Sequence, residues 1–274
     1  MSLQVDQLCW GHPVPGGTWR SLFQNFDFQS PTGQFTLVIG SNGSGKSTFL
    51  NLLAGTLRCS SGSIRLNEKP LQQLSDHRRA RFIGRVMQNP LEGTCPGLTI
   101  AENLRLAEGR RRSAIGWRGL SGVHPNRRDR RRYRDLLQEL GLPLADRIDT
   151  LLGQLSGGQR QTISLVMATL GQPQMLLLDE HTAALDPKAE ATVMDLTDRL
   201  VRQLGTTTLM VTHNLDQALR FGDRLVMLHE GRLLGDWSAE QRQHLTPDDL
   251  RQMYRSEEHT SELQSRQYLV CRLL

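Results

Sequence analysis

Three stretches of this chain are apolar without interruption: FTLVIGS (Phe35–Ser41), MLLLDE (Met175–Glu180) and TTLMVTH (Thr207–His213). Each runs into glycine, carboxylate or histidine, the pattern of strands buried on both faces whose ends carry polar groups. KSTFLNLLAGTL, after the first, spaces its apolar residues for a helix. PKAEATVMDLTDRLVRQLG, between the second and third, predicts an amphipathic helix that stops at Gly205. Strand, helix, strand with polar strand ends is an α/β arrangement, in which ligands sit at the carboxyl ends of the strands. Shorter β-prone pieces, SLQVDQLCW, SLFQNFDF and GSIRLNEKP, predict an antiparallel sheet near the N-terminus. From about Leu98 to Leu170 the pattern is mostly helical, which predicts a helical subdomain inserted into the α/β core.

Composition narrows this only modestly. The 274 residues, 38% hydrophobic and 22% charged, suit one large domain. No apolar run approaches the roughly 20 residues that span a bilayer, and the N-terminus lacks a signal-peptide pattern, so a cytosolic location is expected. Cys9, Cys59, Cys95 and Cys271 have no metal-ligand spacing and read as reduced thiols. The net charge of +5 hides an asymmetry: Arg110 to Arg134 holds ten arginines and one acid, a local +9, leaving the remainder near −4. A basic average therefore describes one segment. The last twenty residues, Arg255 to Leu274, read as a translated sequencing adapter. Arg255–Ser265 and Tyr268–Leu274 each back-translate to adapter sequence across an index-sized gap, the alternative being a genuine polar C-terminal helix; the domain is expected over residues 1–254, with the native C-terminus left open.

GSNGSGKS, Gly40 to Ser47, satisfies the phosphate-binding pattern G-x-x-x-x-G-K-[ST] between a predicted strand and helix. Its residues Gly40, Ser41, Asn42, Gly43, Ser44 and Gly45 can curl backbone N–H groups around a phosphate. Lys46 can reach β and γ oxygens, and Ser47, followed by Thr48, can offer a hydroxyl to Mg²⁺. LLLDEHTAALDP then places Asp179 and Glu180 side by side at a strand end. Two adjacent carboxylates repel. With a phosphate loop elsewhere in the chain, Asp179 can hold the metal shell and Glu180 can polarise water for attack on a γ-phosphate.

LSGGQRQ (Leu155–Gln161) adds a second candidate anion site at a helix start, through Ser156, Gly157, Gly158 and Gln159. One nucleotide needs one phosphate loop, so a second site makes sense if it serves another subunit. Here the sequence resembles the ATP-binding cassette (ABC) ATPases over about Leu3 to Gln252. The resemblance implies a P-loop NTPase fold with a RecA-like core, an N-terminal antiparallel part and an inserted helical subdomain. It implies ATP and Mg²⁺ as cofactors and a homodimer in which each signature closes over the partner's ATP. It implies Glu180 as base, His213 as the γ-phosphate switch, and Gln88 as the loop glutamine near the metal and the membrane partner. Asp186 takes the cross-dimer loop, and Trp10 stacks on adenine, with Trp19 and Phe23 as alternatives.

His181 departs from the family, which usually has proline there. It reads as a mark of an importer subgroup linked to tryptophan, tyrosine or other small-molecule uptake rather than as a second base. The resemblance implies ATP-driven import through a separate permease supplied by a substrate-binding protein, at the cytoplasmic face of the plasma membrane. A soluble non-transport cassette and an exporter motor are the alternatives. The arginine run leaves three readings open: a solvated face, a contact with anionic lipid or an acidic permease loop, and nucleic acid, with Trp117 and Tyr133 its only interleaved aromatics. No nucleic-acid partner is expected.

Overall fold

The computed structural model describes residues 3–14, 17–109 and 124–254. Arg110, Arg111, Arg112, Trp117, Arg118 and the adapter-like tail, with Cys271, lie outside them. The chain opens with β1 (Leu3–Pro13), β2 (Trp19–Ser30), β3 (Phe35–Gly40), α1 (Lys46–Ala54), β4 (Ser61–Leu66) and β5 (Lys69–Pro70). Then come α2 (Asp76–Arg79), β6 (Ile83–Val86), α3 (Ile100–Gly109), α4 (Arg127–Glu139) and α5 (Gly157–Thr169). It closes with β7 (Met175–Asp179), α6 (Pro187–Leu204), β8 (Thr207–Val211), α7 (Leu215–Arg220), β9 (Arg224–His229), β10 (Arg232–Ser238) and α8 (Ala239–Arg242). Residues 247–254 are again helical.

Two sheets result. An antiparallel sheet has the order β2-β1-β4-β5, and a six-stranded sheet the order β10-β9-β3-β8-β7-β6, parallel except for β10. The apolar runs are continuous because alternate residues enter different cores. Phe35, Leu37 and Ile39 of β3 face one cluster and Val38 the other, while β7 divides the same way into Leu176 and Leu178 against Met175 and Leu177. The first cluster takes helices α3 to α6 through residues such as Ile100, Tyr133, Ile163 and Val201. The second takes α1 and the antiparallel sheet, with Phe26 and Phe28 meeting Phe49 edge-on at 5.3 and 5.4 Å. Every central strand thus joins two cores, which fixes its register on both faces.

The helix after the phosphate loop ends earlier than its apolar spacing suggests. Gly55, at φ +90°, turns the chain after Ala54 and sends its N–H to Asn51 O. Arg79 then satisfies the exposed helix carbonyls, donating to Leu52 O (2.7 Å) and Leu53 O (3.1 Å) and also to Leu74 O. Burial pushes its pKa down, yet three carbonyl partners keep the guanidinium in place. The long helix α6 matches its sequence reading: Asp186 caps its start, Pro187 follows, and Gly205 closes it at φ +57°. Among the described residues no helix is long and apolar enough to cross a membrane. Cys9, Cys59 and Cys95 are free thiols.

Candidate active site

The phosphate loop sits between β3 and α1, where Gly45 has φ +105° and the backbone turns into the helix. A Cβ there would also meet Phe23 Cζ at 2.8 Å, so glycine is required by conformation and by space. Lys46 is buried and donates to Gly40 O at 2.7 Å and Ser41 O at 2.9 Å, folding its ammonium back along the loop. Desolvation lowers its pKa, opposed by the charges of Glu180 and Asp179. A cleft of about 710 Å³ opens over Gly40, Ser41, Asn42, Gly43 and Ser44, bounded by His213.

Across the loop, the end of β7 presents its two carboxylates to different partners. Ser47 Oγ donates to Asp179 Oδ1 at 3.2 Å, and Arg85 Nη2 donates to Asp179 Oδ2 at 3.2 Å. Glu180, at φ +46°, swings its side chain toward β8, where His213 Nε2 lies 2.6 Å from Glu180 Oε1. Each acid has a basic neighbour, which answers the repulsion posed by the sequence. The Ser47 hydroxyl and the Asp179 carboxylate are hard oxygen donors, and such a pair fits Mg²⁺, which usually combines one or two protein oxygens with phosphates and water.

His181 faces the opposite way. It is 1% exposed and its Nε2 is 3.1 Å from Thr197 Oγ1 on α6. Thr197 spends its own proton on Val193 O at 2.7 Å, so the histidine carries its proton on Nε2 and donates. Nδ1 is buried without a partner, and burial pushes the pKa down to about 4. A neutral imidazole held against α6 ties the strand end to the helix and stays out of the cleft.

The signature residues lie elsewhere. Ser156 caps α5, its Oγ accepting from Gln159 N while Gln159 Oε1 accepts from Ser156 N, a reciprocal capping box. Asp186 Oδ1 accepts from Lys188 N and Ala189 N at the start of α6. A Cβ on Gly158 would meet Ala189 Cβ at 2.8 Å, so the two helix starts are pressed together. Ser156, Gly158, Gln159 and Asp186 line a groove of about 290 Å³, and none of them lines the phosphate-loop cleft.

Gln88 is exposed, with its loop tethered by Gln161 Nε2 to Met87 O at 3.3 Å. Trp10 packs 5.5 Å from His12, and Trp19 is 63% exposed. Neither lines the cleft, and Phe23 is fully buried beneath the loop.

Sequence reasoning missed several contributors. Arg85 is the one charge in FIGRVM, and a cation inside a short apolar strand was the available signal. Gln217 of α7 donates to Glu190 Oε1 (2.6 Å) and Thr182 Oγ1 (3.2 Å), and accepts from Thr212 Oγ1 (3.1 Å). Asn214 adds a bond to Glu190 at 3.0 Å, so the loop carrying His213 is bound to α6. No local pattern marks that network. Arg20 and Tyr254 also line the cleft, and burial raises the Tyr254 phenol pKa.

Known proteins resemble this chain in sequence and fold. The sequence profile described as ABC transporter matches residues 23–183. A tyrosine transport ATP-binding protein of Clostridioides difficile is 42% identical over 90% of this chain and 96% of its own length. An iron(3+)-hydroxamate import ATP-binding protein of Bacillus subtilis is 32% identical over 92% and 87%. A dimeric bacterial ABC transporter cassette superposes with a TM-score of 0.70 at 27% identity, covering 86% of this chain and 98% of its own. A dimeric post-hydrolysis cassette bound to ADP and Pi gives 0.69 at 26%, with the same coverage. With its phosphate loop, paired strand-end carboxylates and signature helix all in place, this chain belongs to the ABC transporter family as an ATP-binding cassette.

Proposed function

We propose that this chain is the ATP-hydrolysing subunit of a bacterial importer. It works as a homodimer on the cytoplasmic face of the plasma membrane, beneath a permease made as a separate chain. The observation that carries this reading is the separation of two half-sites. Gly40 to Ser44 and His213 line one cleft, with Lys46 bonded to the loop, Ser47 to Asp179 and His213 to Glu180, while Ser156 and Asp186 line another groove. A signature turned away from its own phosphate loop is suited to a second copy's nucleotide, and the dimeric cassettes it resembles support that assembly.

In this reading the loop N–H groups and Lys46 hold the phosphates of ATP, and Ser47 with Asp179 hold Mg²⁺. When bound, the metal supplies charge neutralisation at the β and γ oxygens. Glu180 orients and deprotonates water for in-line attack, and His213 steadies that carboxylate while reaching toward the γ-phosphate. Gln88 reports the state of the site to the permease, and Trp10 approaches adenine once nucleotide is present. Residues 98–170 act as the helical subdomain of the cassette. Closure around ATP and reopening after hydrolysis drive alternating access in the permease. The relatives named for tyrosine transport and for iron(3+)-hydroxamate import favour uptake of a small molecule, an aromatic amino acid among the candidates, delivered by a substrate-binding protein.

Reconstitution with a cognate permease tests the proposal. Hydrolysis should rise when a cognate substrate-binding protein and its ligand are added from the outside. Stimulation only by ligand on the nucleotide side would indicate an exporter. Activity indifferent to any membrane partner would indicate a soluble cassette.

A further inference from the structure

Arg85 lies on β6, the edge strand of the large sheet, with its Cα registered against Leu177 of β7. Asp179 is two residues beyond Leu177 and therefore on the same face, the diagonal position that a long side chain can reach. The guanidinium comes to 3.2 Å of Asp179 Oδ2, with the two side chains only 16% and 13% exposed. The other oxygen, Oδ1, takes the Ser47 hydroxyl. One carboxylate is thus held between a hydroxyl at the phosphate loop and a cation behind it, each using a separate oxygen. Arg85 Nε is buried without a hydrogen-bond partner. A buried polar atom left unpaired is costly, so the arginine is not explained by its own satisfaction. What its placement achieves is the orientation of Asp179.

We propose that Arg85 is a positioning residue for the magnesium-binding carboxylate, fixing Asp179 so that Oδ1 stays turned to Ser47. The proposal rests on the assignment of Asp179 to the metal shell. A carboxylate with both oxygens free to rotate must be ordered whenever the metal binds, whereas one pinned by Oδ2 is ordered beforehand. Outer partners of this kind commonly account for about 10- to 100-fold of metal affinity. Arg85 also stands three residues before Gln88, so the residue that orients the metal ligand and the loop glutamine share one short segment.

The test is equilibrium binding of ATP to the full chain, with Mg²⁺ and with the metal chelated. Wild type, Arg85→Met, Arg85→Lys and Asp179→Asn are compared, with thermal unfolding recorded for each. Arg85→Met should lose about tenfold or more of the gain in affinity that Mg²⁺ provides. Metal-free ATP binding should stay within about twofold, because the phosphate loop is untouched. Arg85→Lys, which keeps the charge and one donor, should recover part of the loss. A merely structural arginine would lower the melting temperature and weaken both binding modes together, and that result overturns the proposal. So does a Mg²⁺ dependence that is unchanged, or displaced to lower Mg²⁺ concentration as expected if the guanidinium only repels the metal. If Asp179→Asn itself leaves the Mg²⁺ dependence intact, the assignment of the metal carboxylate fails, and the role of Arg85 falls with it.

Discussion

His213 and Glu180 meet at 2.6 Å just beyond the ends of two neighbouring strands, β8 and β7. The contact requires Glu180 to adopt φ +46°, a left-handed backbone uncommon outside glycine. Such a backbone turns the carboxylate toward His213, and in the proposed mechanism this is the group that deprotonates water. Glu180→Gln should therefore lower phosphate release by about a hundredfold or more, the scale of a lost general base, and leave ATP binding nearly unchanged. His213→Ala should fall in the same direction. A glutamine variant that hydrolyses ATP at a near-normal rate would remove Glu180 from the mechanism.

A mixing experiment addresses the shared site. Ser156→Arg blocks the signature of one chain and spares its Glu180; Glu180→Gln does the reverse. Each homodimer should be nearly inactive. Mixed dimers have one site with both defects and one with neither, so activity should partly return when the two proteins are combined. Two affinity tags verify pairing. Paired, ATP-bound and inactive mixed dimers would mean that the sites are independent of the partner's signature or must fire together.

His181 should prove dispensable for chemistry. It is buried against Thr197, away from the cleft, and its backbone N–H is in none of the backbone bonds formed by the described loops, so proline removes no loop bond there. His181→Pro should retain hydrolysis within roughly tenfold, or ~1.4 kcal/mol of barrier. Loss of the Thr197 bond should cost about 1 kcal/mol of stability. A fall in hydrolysis equal to that of Glu180→Gln would assign it a chemical role.

Acid should weaken the start of α3. Glu102 accepts from Thr99 N (2.8 Å) and Thr99 Oγ1 (2.9 Å), and His124 Nδ1 lies 2.7 Å away. The Thr99 backbone bond leads in holding its pKa below the usual glutamate value, with burial opposing. Because the unfolded chain takes up this proton at higher pH than the folded one, the stabilisation is complete above the ordinary glutamate range. It disappears as pH falls through the lowered value. Glu102→Gln should flatten that acid limb and cost about 1 kcal/mol near neutrality; chemical denaturation across pH measures both.

Within the described part of the arginine run, five arginines of α4 fall into two groups. Arg130 pairs with Asp149, and Arg132 with Glu108 at 2.6 Å. Arg127, Arg128 and Arg131 are exposed on α4 and have no ion pair among the described residues. Changing these three to glutamine should leave hydrolysis by the isolated subunit intact and reduce co-sedimentation with permease in anionic vesicles. The loss should vanish at high salt. Equal recovery at low and high salt would leave the three as a solvated face.

The sequence was legible where physics is local. β3, β7 and β8 were readable because both faces of each are buried, and α6 because Asp186, Pro187 and Gly205 punctuate it. The phosphate loop was equally plain, since Gly45 must be glycine for its φ alone. What escaped depends on distance along the chain. Arg85 reaches Asp179 over 94 residues and Gln217 reaches Thr182 over 35, contacts that only the sheet order creates. The early end of α1 escaped because its stop signal, Gly55, works together with a cap from Arg79 in another element.

The closeness of Gly158 to Ala189 has a consequence for how two copies would join. With no space for a methyl group at Gly158 against Ala189, the first turns of α5 and α6 touch directly, and the Ser156 hydroxyl and the Asp186 carboxylate are held beside one another's helix. Each is further locked by its own helix cap. A surface ordered in advance loses little conformational freedom on docking. The energy of contact with a second chain is then left for drawing the halves together rather than for shaping the surface that meets it.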